Sequence, residues 1–336
     1  MLENIIYSER APGITIDRIR REAGFTMAVK HLHSEYEIYY LAEGERYYFI
    51  DSRTYHVRKG GLVLIDKNQI HKTSQAGSAA HDRILIGLTE EALNSFLAFT
   101  GELSLEDFFK EHRGVVQLDE EGQDLIEGLL RELAGELSGK KTGYFHMALC
   151  LLSQLFIYLE RSLSSQGSPS VHAPLSSSPK HRKVDEVASY ITSHYSEDIS
   201  LAALADRFFV NKSYLSRIFK EATGFTVVEY MNLCRIREAR RLLLSDGKSI
   251  TEISGLVGYD TITYFERVFR SYTQTSPLQF RKQYSHRLEP VSVLPSDNVP
   301  ESGYCRPGLP AIKAPRKRHS FALSGRSLTS PMEPDI

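Results

Sequence analysis

One pattern of apolar positions is written twice in the second half of the chain. The segment Tyr214–Lys220, Tyr-Leu-Ser-Arg-Ile-Phe-Lys, returns fifty positions later as Tyr264–Arg270, Tyr-Phe-Glu-Arg-Val-Phe-Arg. In both copies the apolar residues follow the i, i+3, i+4, i+7 spacing of a helix with one buried face. A second match, between residues 201–205 and 250–254, is forty-nine positions apart, so the second copy has a turn that is one residue longer. The pattern predicts two helix-turn-helix units.

The residues between the two copies predict how far apart the units stand. Residues 227–244 have the apolar period of a single helix. About 18 residues at 1.5 Å each give a rod of roughly 27 Å. In DNA-binding helix-turn-helix units the second helix lies in the major groove, and successive major grooves on one side of B-DNA are roughly 34 Å apart. N-caps are expected at Asn211 and Asp260, and Ser249 with Glu252 matches a capping box. One subunit is therefore expected to reach two adjacent grooves.

The first half of the chain has a different period. Residues 14–86 alternate between apolar and polar positions in short runs, and turn residues such as Gly60-Gly61 separate the runs. Many short strands with regular turns predict a small antiparallel barrel or jelly roll. From 89 to 163 the period becomes helical. The strands are predicted over residues 14–19, 27–31, 37–41, 45–50, 55–58, 62–65 and 83–86, and the helices over 90–99, 125–137 and 144–163.

Charge separates the two halves. The 336 residues are enough for two domains, and 41% hydrophobic with 25% charged residues is a soluble globular composition. Residues 1–180 carry 19 Lys and Arg against 25 Asp and Glu, whereas residues 181–287 carry 16 against 12. The repeated part is therefore the basic part, which favours a nucleic-acid partner.

Cysteine usage and the apolar runs bear on location. Cys150, Cys234 and Cys305 are scattered and form no CxxC pair, which argues against a disulfide framework and a thiolate zinc cluster. The N-terminus lacks a secretion signal, and the apolar stretch 144–159 is short for a membrane span. We expect a cytoplasmic protein without a membrane segment.

Four motifs together resemble the AraC/XylS family of bacterial transcription regulators. They cover about residues 183 to 284, and one departure is Gln274, where the family usually has a glycine, as the first copy does at Gly224. The motifs are Leu-Ser-Arg-Ile-Phe-Lys at 215–220, Ile-Ser-Gly-Leu-Val-Gly-Tyr-Asp at 253–260, Tyr-Phe-Glu-Arg-Val-Phe-Arg at 264–270 and Ser-Pro-Leu-Gln-Phe-Arg at 276–281.

This resemblance implies an α+β two-domain fold. A cupin-like N-terminal β-barrel is followed by helices, and a C-terminal all-α domain holds two helix-turn-helix motifs. The expected segments are an effector-sensing and dimerisation domain (1–161), a flexible Ser/Pro-rich linker (162–181), the double helix-turn-helix domain (182–287) and a disordered tail (288–336).

The resemblance also implies a function and partners. The chain is expected to be a DNA-binding transcriptional regulator, usually an activator, and not an enzyme. Its partners would be double-stranded DNA, a small-molecule effector such as a carbohydrate, RNA polymerase and a second copy in a homodimer. The helix over 144–163 either supplies the dimer contact or packs wholly on its own barrel. The candidates for that contact are Leu149, Leu152, Leu155, Phe156 and Leu159.

The spacing H-x-H-x3-E-x6-G from His31 to Gly44, with a later histidine at His71, resembles the two cupin motifs. In metal-dependent cupins these positions hold a divalent transition metal, for which imidazole and carboxylate are suitable ligands. Sensor cupins often keep the pattern without such chemistry, and Asp66 and Asn68 stand where cupins prefer Pro and Gly. We therefore favour no metal and no other cofactor. If one were bound, its ligands would be His31, His33, Glu37 and His71.

The preferred interpretation of the barrel is a pocket for a small effector inside an aromatic lining. The alternative is that its tyrosines are core residues. The candidate effector-binding residues are His31, His33, Glu37, Tyr39 and His71.

The repeat predicts the DNA contacts. Arg217 and Arg267 are expected to reach guanine, Glu266 to accept from cytosine and Ile262 to touch a thymine methyl. The full set of candidate contacts is Lys212, Ser213, Ser216, Arg217, Lys220, Ile262, Thr263, Glu266, Arg267 and Arg270. Two other functions stay open on the residues alone. One is a metal-dependent cupin enzyme with an accessory helical domain, and the other is a protein-interaction module that uses the helical repeat.

Overall fold

One long strand organises the N-terminal half. The computed structural model describes residues 3–22, 35–77, 80–90, 104–164, 179–245 and 247–285. Within these residues an eight-stranded antiparallel arrangement is formed by β1 (Glu3–Ala11), β2 (Ile14–Arg21), β3 (Tyr36–Ile50), β4 (Arg53–Arg58), β5 (Gly61–Ile65), β6 (His71–Gln75), β7 (His81–Leu88) and β8 (Gly114–Gln117).

Strand β3 belongs to two sheets. Its first half pairs with β5 and β7, and its second half pairs with β4 and β6. A register shift between Leu41 and Glu43 marks the change. Gly44 follows it with a φ of 89°, and a Cβ there would lie 2.5 Å from the Ala80 carbonyl oxygen. The sequence predicted two separate strands, over 37–41 and 45–50, because the bend looks like a turn. The two sheets enclose an apolar cluster, which confirms the predicted barrel architecture.

Three strands were missed, each for a local reason. Strand β1 is exposed along most of its length, so it shows little alternation. Strands β6 and β8 are only five and four residues long. The strand predicted over 27–31 lies outside the described residues, and so does the helix predicted over 90–99 apart from Glu90.

Three helices cover the outer face of the first sheet. They are α1 (Leu105–His112), α2 (Glu120–Gly139) and α3 (Tyr144–Ser164). The five residues proposed for a dimer contact, from Leu149 to Leu159, are all buried in the core between these helices and the sheet. Burying a Leu or Phe side chain contributes roughly 1.5–3 kcal/mol. These five side chains therefore stabilise the half of the chain to which they belong, and a dimer contact through this helix stays a prediction.

The C-terminal half is helical. Its helices are α4 (Pro179–His194), α5 (Leu201–Arg207), α6 (Lys212–Thr223), α7 (Val227–Ser245), α8 (Ile250–Leu256), α9 (Ile262–Thr273) and α10 (Pro277–Ser285). Helix α7 belongs to two cores. Leu233 packs with α4, α5 and α6, whereas Ile236 and Leu243 pack with α8, α9 and α10. The predicted rod is confirmed, with 19 residues.

Most of the predicted caps are confirmed. Asn211 accepts from the backbone amides of Ser213 and Tyr214, and the capping box of Ser249 with Glu252 is complete. The predicted cap at Asp260 is wrong. Thr261 caps α9 instead, because the extra residue of the second turn moves the helix start by one position.

The barrel and the helical half contact each other through the turn between β3 and β4. The backbone carbonyl of Asp51 accepts a short hydrogen bond from the Tyr230 hydroxyl. Its carboxylate pairs with Arg237 at 2.6 Å and accepts from Gln69 at 2.9 Å. Asp51 has a left-handed φ of 52°, which its short polar side chain tolerates. We call these interactions of Asp51, together with the contacts of Phe49, Thr54, Ile70 and Lys72 with the helical half, the domain contact.

Apolar side chains extend the domain contact. Phe49 and Ile70 are buried in the same core as α4, α6 and α7, and the Phe49 ring meets Tyr230 edge-on at 5.6 Å. Lys72 donates to the carbonyl of Gly224 at 2.8 Å, just beyond the C-terminus of α6, and lies over the Phe225 ring. The first core of the helical half is therefore completed by the barrel.

A half-buried carboxyl, that of Asp185, lies at the edge of the domain contact. Asp185 accepts from the hydroxyl and the backbone amide of Thr54, at 3.0 and 3.4 Å. Burial raises the pKa of Asp185 to about 6, and the hydrogen bonds from Thr54 offset only part of this rise.

The C-terminus of α9 generates a stability prediction. Gln274 adopts a φ of 60° at the position where Gly224 ends α6 with a φ of 75°. Gln274→Gly should raise the free energy of unfolding by about 0.5–1 kcal/mol, because only glycine enters this region without steric cost. Urea denaturation of the full chain measures the change. The matched control is Gln283→Gly inside α10, which should lower it. A destabilised Gln274→Gly protein would contradict the strain assigned to this cap.

The carboxyl of Asp185 generates a pH prediction. Its pKa rises from the usual 3.8 to about 6 on folding, so the folded chain binds a proton that the unfolded chain has lost. The free energy of unfolding should fall as pH rises through this window, by roughly 2 kcal/mol once the full linkage of about 3 kcal/mol is reduced for solvent screening of a half-buried group. Asp185→Asn should remove that component, as measured by urea denaturation across the window. Asp198→Asn, at an exposed carboxyl, is the control and should keep the wild-type slope.

Candidate nucleic-acid interface and sensor cavity

Helices α6 and α9, which we call the reading helices because they carry the predicted DNA contacts, have the same division into buried and exposed faces. Leu215, Ile218 and Phe219 are buried on α6, and Phe265 and Phe269 occupy the equivalent places on α9. The candidate DNA contacts lie on the opposite faces. All ten are exposed except Ser216, which is half-buried: Lys212, Ser213, Arg217 and Lys220 on α6, and Ile262, Thr263, Glu266, Arg267 and Arg270 on α9.

Each reading helix has a tyrosine three residues before its arginine. The Arg217 guanidinium lies 5.6 Å from the centre of the Tyr214 ring, and Arg267 lies 5.0 Å from that of Tyr264. Both tyrosines are about two-fifths exposed. A guanidinium over an aromatic face is held by cation–π attraction and keeps its outer donors available. Sequence reasoning missed this role, although the Tyr-x-x-Arg spacing in both copies was a usable signal.

The two reading helices differ in local charge. Arg217 also lies 3.5 Å from the Glu221 carboxylate one turn later. The equivalent position on α9 is Ser271, so Arg267 has no such neighbour there. The copies therefore share an arginine in the same place but present it in different electrostatic surroundings.

A small cavity of about 60 Å³ lies between the two sheets of the barrel. We call it the sensor cavity, and its lining consists of Arg21, Glu37, Tyr39, Tyr48, Thr73, His81, Arg83 and Leu85. Two of the five candidate effector residues, Glu37 and Tyr39, therefore line it. His31 and His33 lie outside the described residues.

The fifth candidate, His71, is bonded to the cavity wall. Its Nε2 lies 3.5 Å from the Glu37 carboxylate, and its Nδ1 donates to the backbone carbonyl of Gln69 at 2.9 Å. Burial of the ring opposes protonation, but Glu37 and the hydrogen bonds outweigh it, so the pKa of His71 is raised. The Tyr48 hydroxyl donates to Glu37 at 3.4 Å, and burial raises the pKa of Tyr48.

The cavity is bordered by three arginine side chains that the sequence analysis did not select as effector-binding residues. Arg21 and Arg83 line it, and Arg46 is fully buried beside it. Each lies on a strand flanked by other charged residues, so its sequence neighbourhood looks like surface. Among the described residues, no group of three or more His, Cys, Asp or Glu is arranged to hold a metal ion. Those residues also include no helix that is long and apolar enough to cross a bilayer.

Two family models match the chain. The model of the AraC-like ligand binding domain matches residues 15–156, from β2 to α3. The model of the helix-turn-helix domain matches residues 204–283, from α5 to α10.

Named proteins are similar over most of the chain. The uncharacterized HTH-type transcriptional regulator YfiF of Bacillus subtilis is 28% identical over 258 residues, which is 76% of this chain and 79% of that protein. The HTH-type transcriptional activator RhaR of Mannheimia succiniciproducens is 23% identical over 281 residues, 82% of this chain and 94% of that protein.

Solved structures match as well. The C-terminal domain of AraT, a response regulator from Geobacillus stearothermophilus, is 36% identical and covers 32% of this chain and 86% of that chain, with a TM-score of 0.30. The named relatives are transcriptional regulators, which fits the predicted regulator and not the alternative of a cupin enzyme. With its cupin-like ligand-binding domain ahead of a helix-turn-helix DNA-binding domain, this chain belongs to the AraC family of transcriptional regulators.

Proposed function

We propose that the two reading helices enter successive major grooves of one operator. The observation that carries this proposal is the equivalence of Arg217 and Arg267, which are exposed, stacked on a tyrosine, and placed on helices that pack against one rod, α7. The rod spans roughly 28 Å for its 19 residues, so it suits the spacing of adjacent grooves.

Individual side chains take different parts in this binding. Arg217 and Arg267 donate to guanine O6 and N7, a pairing that suits a held guanidinium. Glu266 accepts from cytosine N4, and Ile262 touches a thymine methyl. The remaining basic residues, Lys212, Lys220 and Arg270, contact phosphates, while Ser213, Ser216 and Thr263 contribute hydrogen bonds.

The sensor cavity holds the small-molecule effector, and its occupancy controls DNA binding. Strand β6 supports this assignment, because Thr73 lines the cavity while Lys72, the next residue, bonds to Gly224 at the end of α6. Alternation places these two side chains on opposite faces of one strand. A ligand that contacts Thr73 is therefore one strand residue away from Lys72, the side chain that contacts the end of the first reading helix.

The family is the basis for proposing a cellular location, an oligomeric state and a mode of regulation. The chain acts in the cytoplasm as a homodimer that activates transcription and contacts RNA polymerase. A relative over most of its length, RhaR, is named as an activator. The buried side chains of α3 are already used within the chain, so the dimer contact uses exposed residues of the sensor half.

The reading-helix assignment predicts unequal effects of two neighbouring substitutions. An operator is first selected from a random duplex library with the wild-type chain. Arg217→Ala should weaken binding by about 1–3 kcal/mol and relax specificity at one base pair. Lys220→Ala should weaken binding to all sequences alike and reduce the salt slope by about 1. Equal effects of both substitutions on every sequence would contradict the roles proposed here.

The same measurement has two internal controls. Arg267→Ala should relax specificity at a second base pair, about one helical turn from the first. Arg241→Ala changes an exposed arginine of α7 that is paired with Glu238 and lies outside the reading helices. This variant should bind the operator as the wild type does. Loss of binding in Arg241→Ala would place the interface elsewhere.

A further inference from the structure

The sensor cavity is surrounded by buried positive charge. Arg21 and Arg83 line it. Arg46 has no exposed surface, and its Nε donates to the hydroxyl of Thr73, a lining residue, at 3.2 Å. Burial lowers the pKa of both Arg21 and Arg46, and the neighbouring arginines lower it further. Three like charges in one small space repel each other, and an anion placed among them would relieve that repulsion.

The nearby carboxylates are either bonded to other side chains or partly exposed to solvent. Glu37 is the acidic residue of the cavity lining, and it is engaged by His71 and Tyr48. Arg21 pairs with Glu3 at 2.7 Å and Arg83 with Asp17 at 2.5 Å, but these two carboxylates are 39% and 24% exposed. Both carboxylates are therefore partly exposed to water, which screens their charges, whereas Arg46 on the inner side has no exposed surface.

One donor of the cavity lining is unused. The Tyr39 hydroxyl is buried and has no hydrogen-bond partner among the described residues. Burial raises the pKa of Tyr39 to about 12, while Arg46, Arg83 and Arg21 each lower it, so all three guanidinium groups act on this oxygen. A buried hydroxyl without a partner costs free energy. A bound acceptor would satisfy it.

We propose that the sensor cavity binds a small monocarboxylate, whose carboxylate lies among Arg21, Arg46 and Arg83 and accepts from the Tyr39 hydroxyl. This inference rests on the proposed function of the cavity as the effector site and names the chemical class of the effector. A planar carboxylate matches the two parallel donors of a guanidinium. Leu85 and the rings of Tyr39 and Tyr48 provide an apolar wall for a short carbon chain.

Matched ligand pairs test the charge requirement. The full chain is titrated calorimetrically with acetate, lactate and pyruvate and with their neutral amides, acetamide, lactamide and pyruvamide, at constant ionic strength. Inorganic phosphate is titrated separately as an anion without a carboxylate. A carboxylate and its amide have nearly the same shape, so the difference reports charge. At least one of the three acids should bind, and its amide should bind at least tenfold more weakly. Equal binding of acid and amide, binding of inorganic phosphate alone, or binding of none of the six would overturn the proposal.

Two arginines form a matched pair of variants. Arg83 pairs with Asp17 and lines the cavity, whereas Arg18 pairs with Asp82 and is absent from the lining. Both ion pairs join β2 to β7, and the carboxylate left behind is more buried in Arg18→Met than in Arg83→Met, so the control removes at least as much structural support. Arg83→Met should weaken carboxylate binding about 30-fold or more. Arg18→Met should leave the affinity within about twofold of the wild type. The same loss in both variants would mean that the effect is structural.

Tyr39→Phe gives a readout that a structural role would not produce. Since the hydroxyl has no partner among the described residues, its removal should leave the thermal stability of the unliganded chain unchanged or raised. Carboxylate affinity should nevertheless fall by about tenfold or more, the equivalent of one hydrogen bond to a charged group. Unchanged affinity in this variant would overturn the assigned geometry.

Operator binding separates the two proposals. Each variant and each ligand-loaded sample is also assayed for binding to the selected operator. If no carboxylate binds while operator binding persists with its Arg217 specificity, the ligand class is wrong and the DNA-binding role stands. If a carboxylate binds but Arg217→Ala has no effect on sequence preference, the reading-helix assignment is wrong and the ligand class stands.

Discussion

The alternation of side chains along β3 and β6 is the constraint on which the rest of this structure depends. In a strand, neighbouring side chains point to opposite faces. On β3, Tyr48 lines the sensor cavity while the next residue, Phe49, is buried in the core of the DNA-binding half. On β6, Thr73 lines the cavity while Lys72 bonds to Gly224 at the end of α6. The wall of the cavity and the support of the first reading helix are therefore two faces of the same strands.

Helix α7 imposes a second constraint, on the separation of the reading helices. Both of its sides are buried, one in each core, and two of its arginines tie down the surrounding segments. Arg235 donates to the backbone carbonyls of Tyr195 and Glu197 after α4, and Arg240 lies over the Phe280 ring of α10. Buried arginines need such partners, because an unpaired buried charge is strongly unfavourable. Two reading helices packed against one well-anchored rod have limited freedom to change their spacing.

The two helix-turn-helix units show which parts of a repeat must be equal and which can vary. The buried face and the Tyr-x-x-Arg stacking are the same in both. The turn of the second unit has one more residue, and a non-glycine residue, Gln274, adopts the left-handed conformation that Gly224 adopts in the first. The packing of each helix on its core outweighs these local costs, which are of order 1 kcal/mol each. The two units therefore differ in turn length and capping while the buried face and the exposed tyrosine and arginine stay equivalent.

The sequence by itself determined the local features of this protein: the repeat, the helical rod, the capping box and the alternating strands of the barrel. These features arise between residues a few positions apart, and their periods can be counted along the chain. Only the tertiary structure decided what lies against what. Arg46 and Thr73 are 27 positions apart, and Asp51 and Arg237 are 186 apart. Periodicity predicts which face of an element is buried but not which charged side chains meet there. The arginines around the cavity and the domain contact therefore depend on how distant strands and helices pack together.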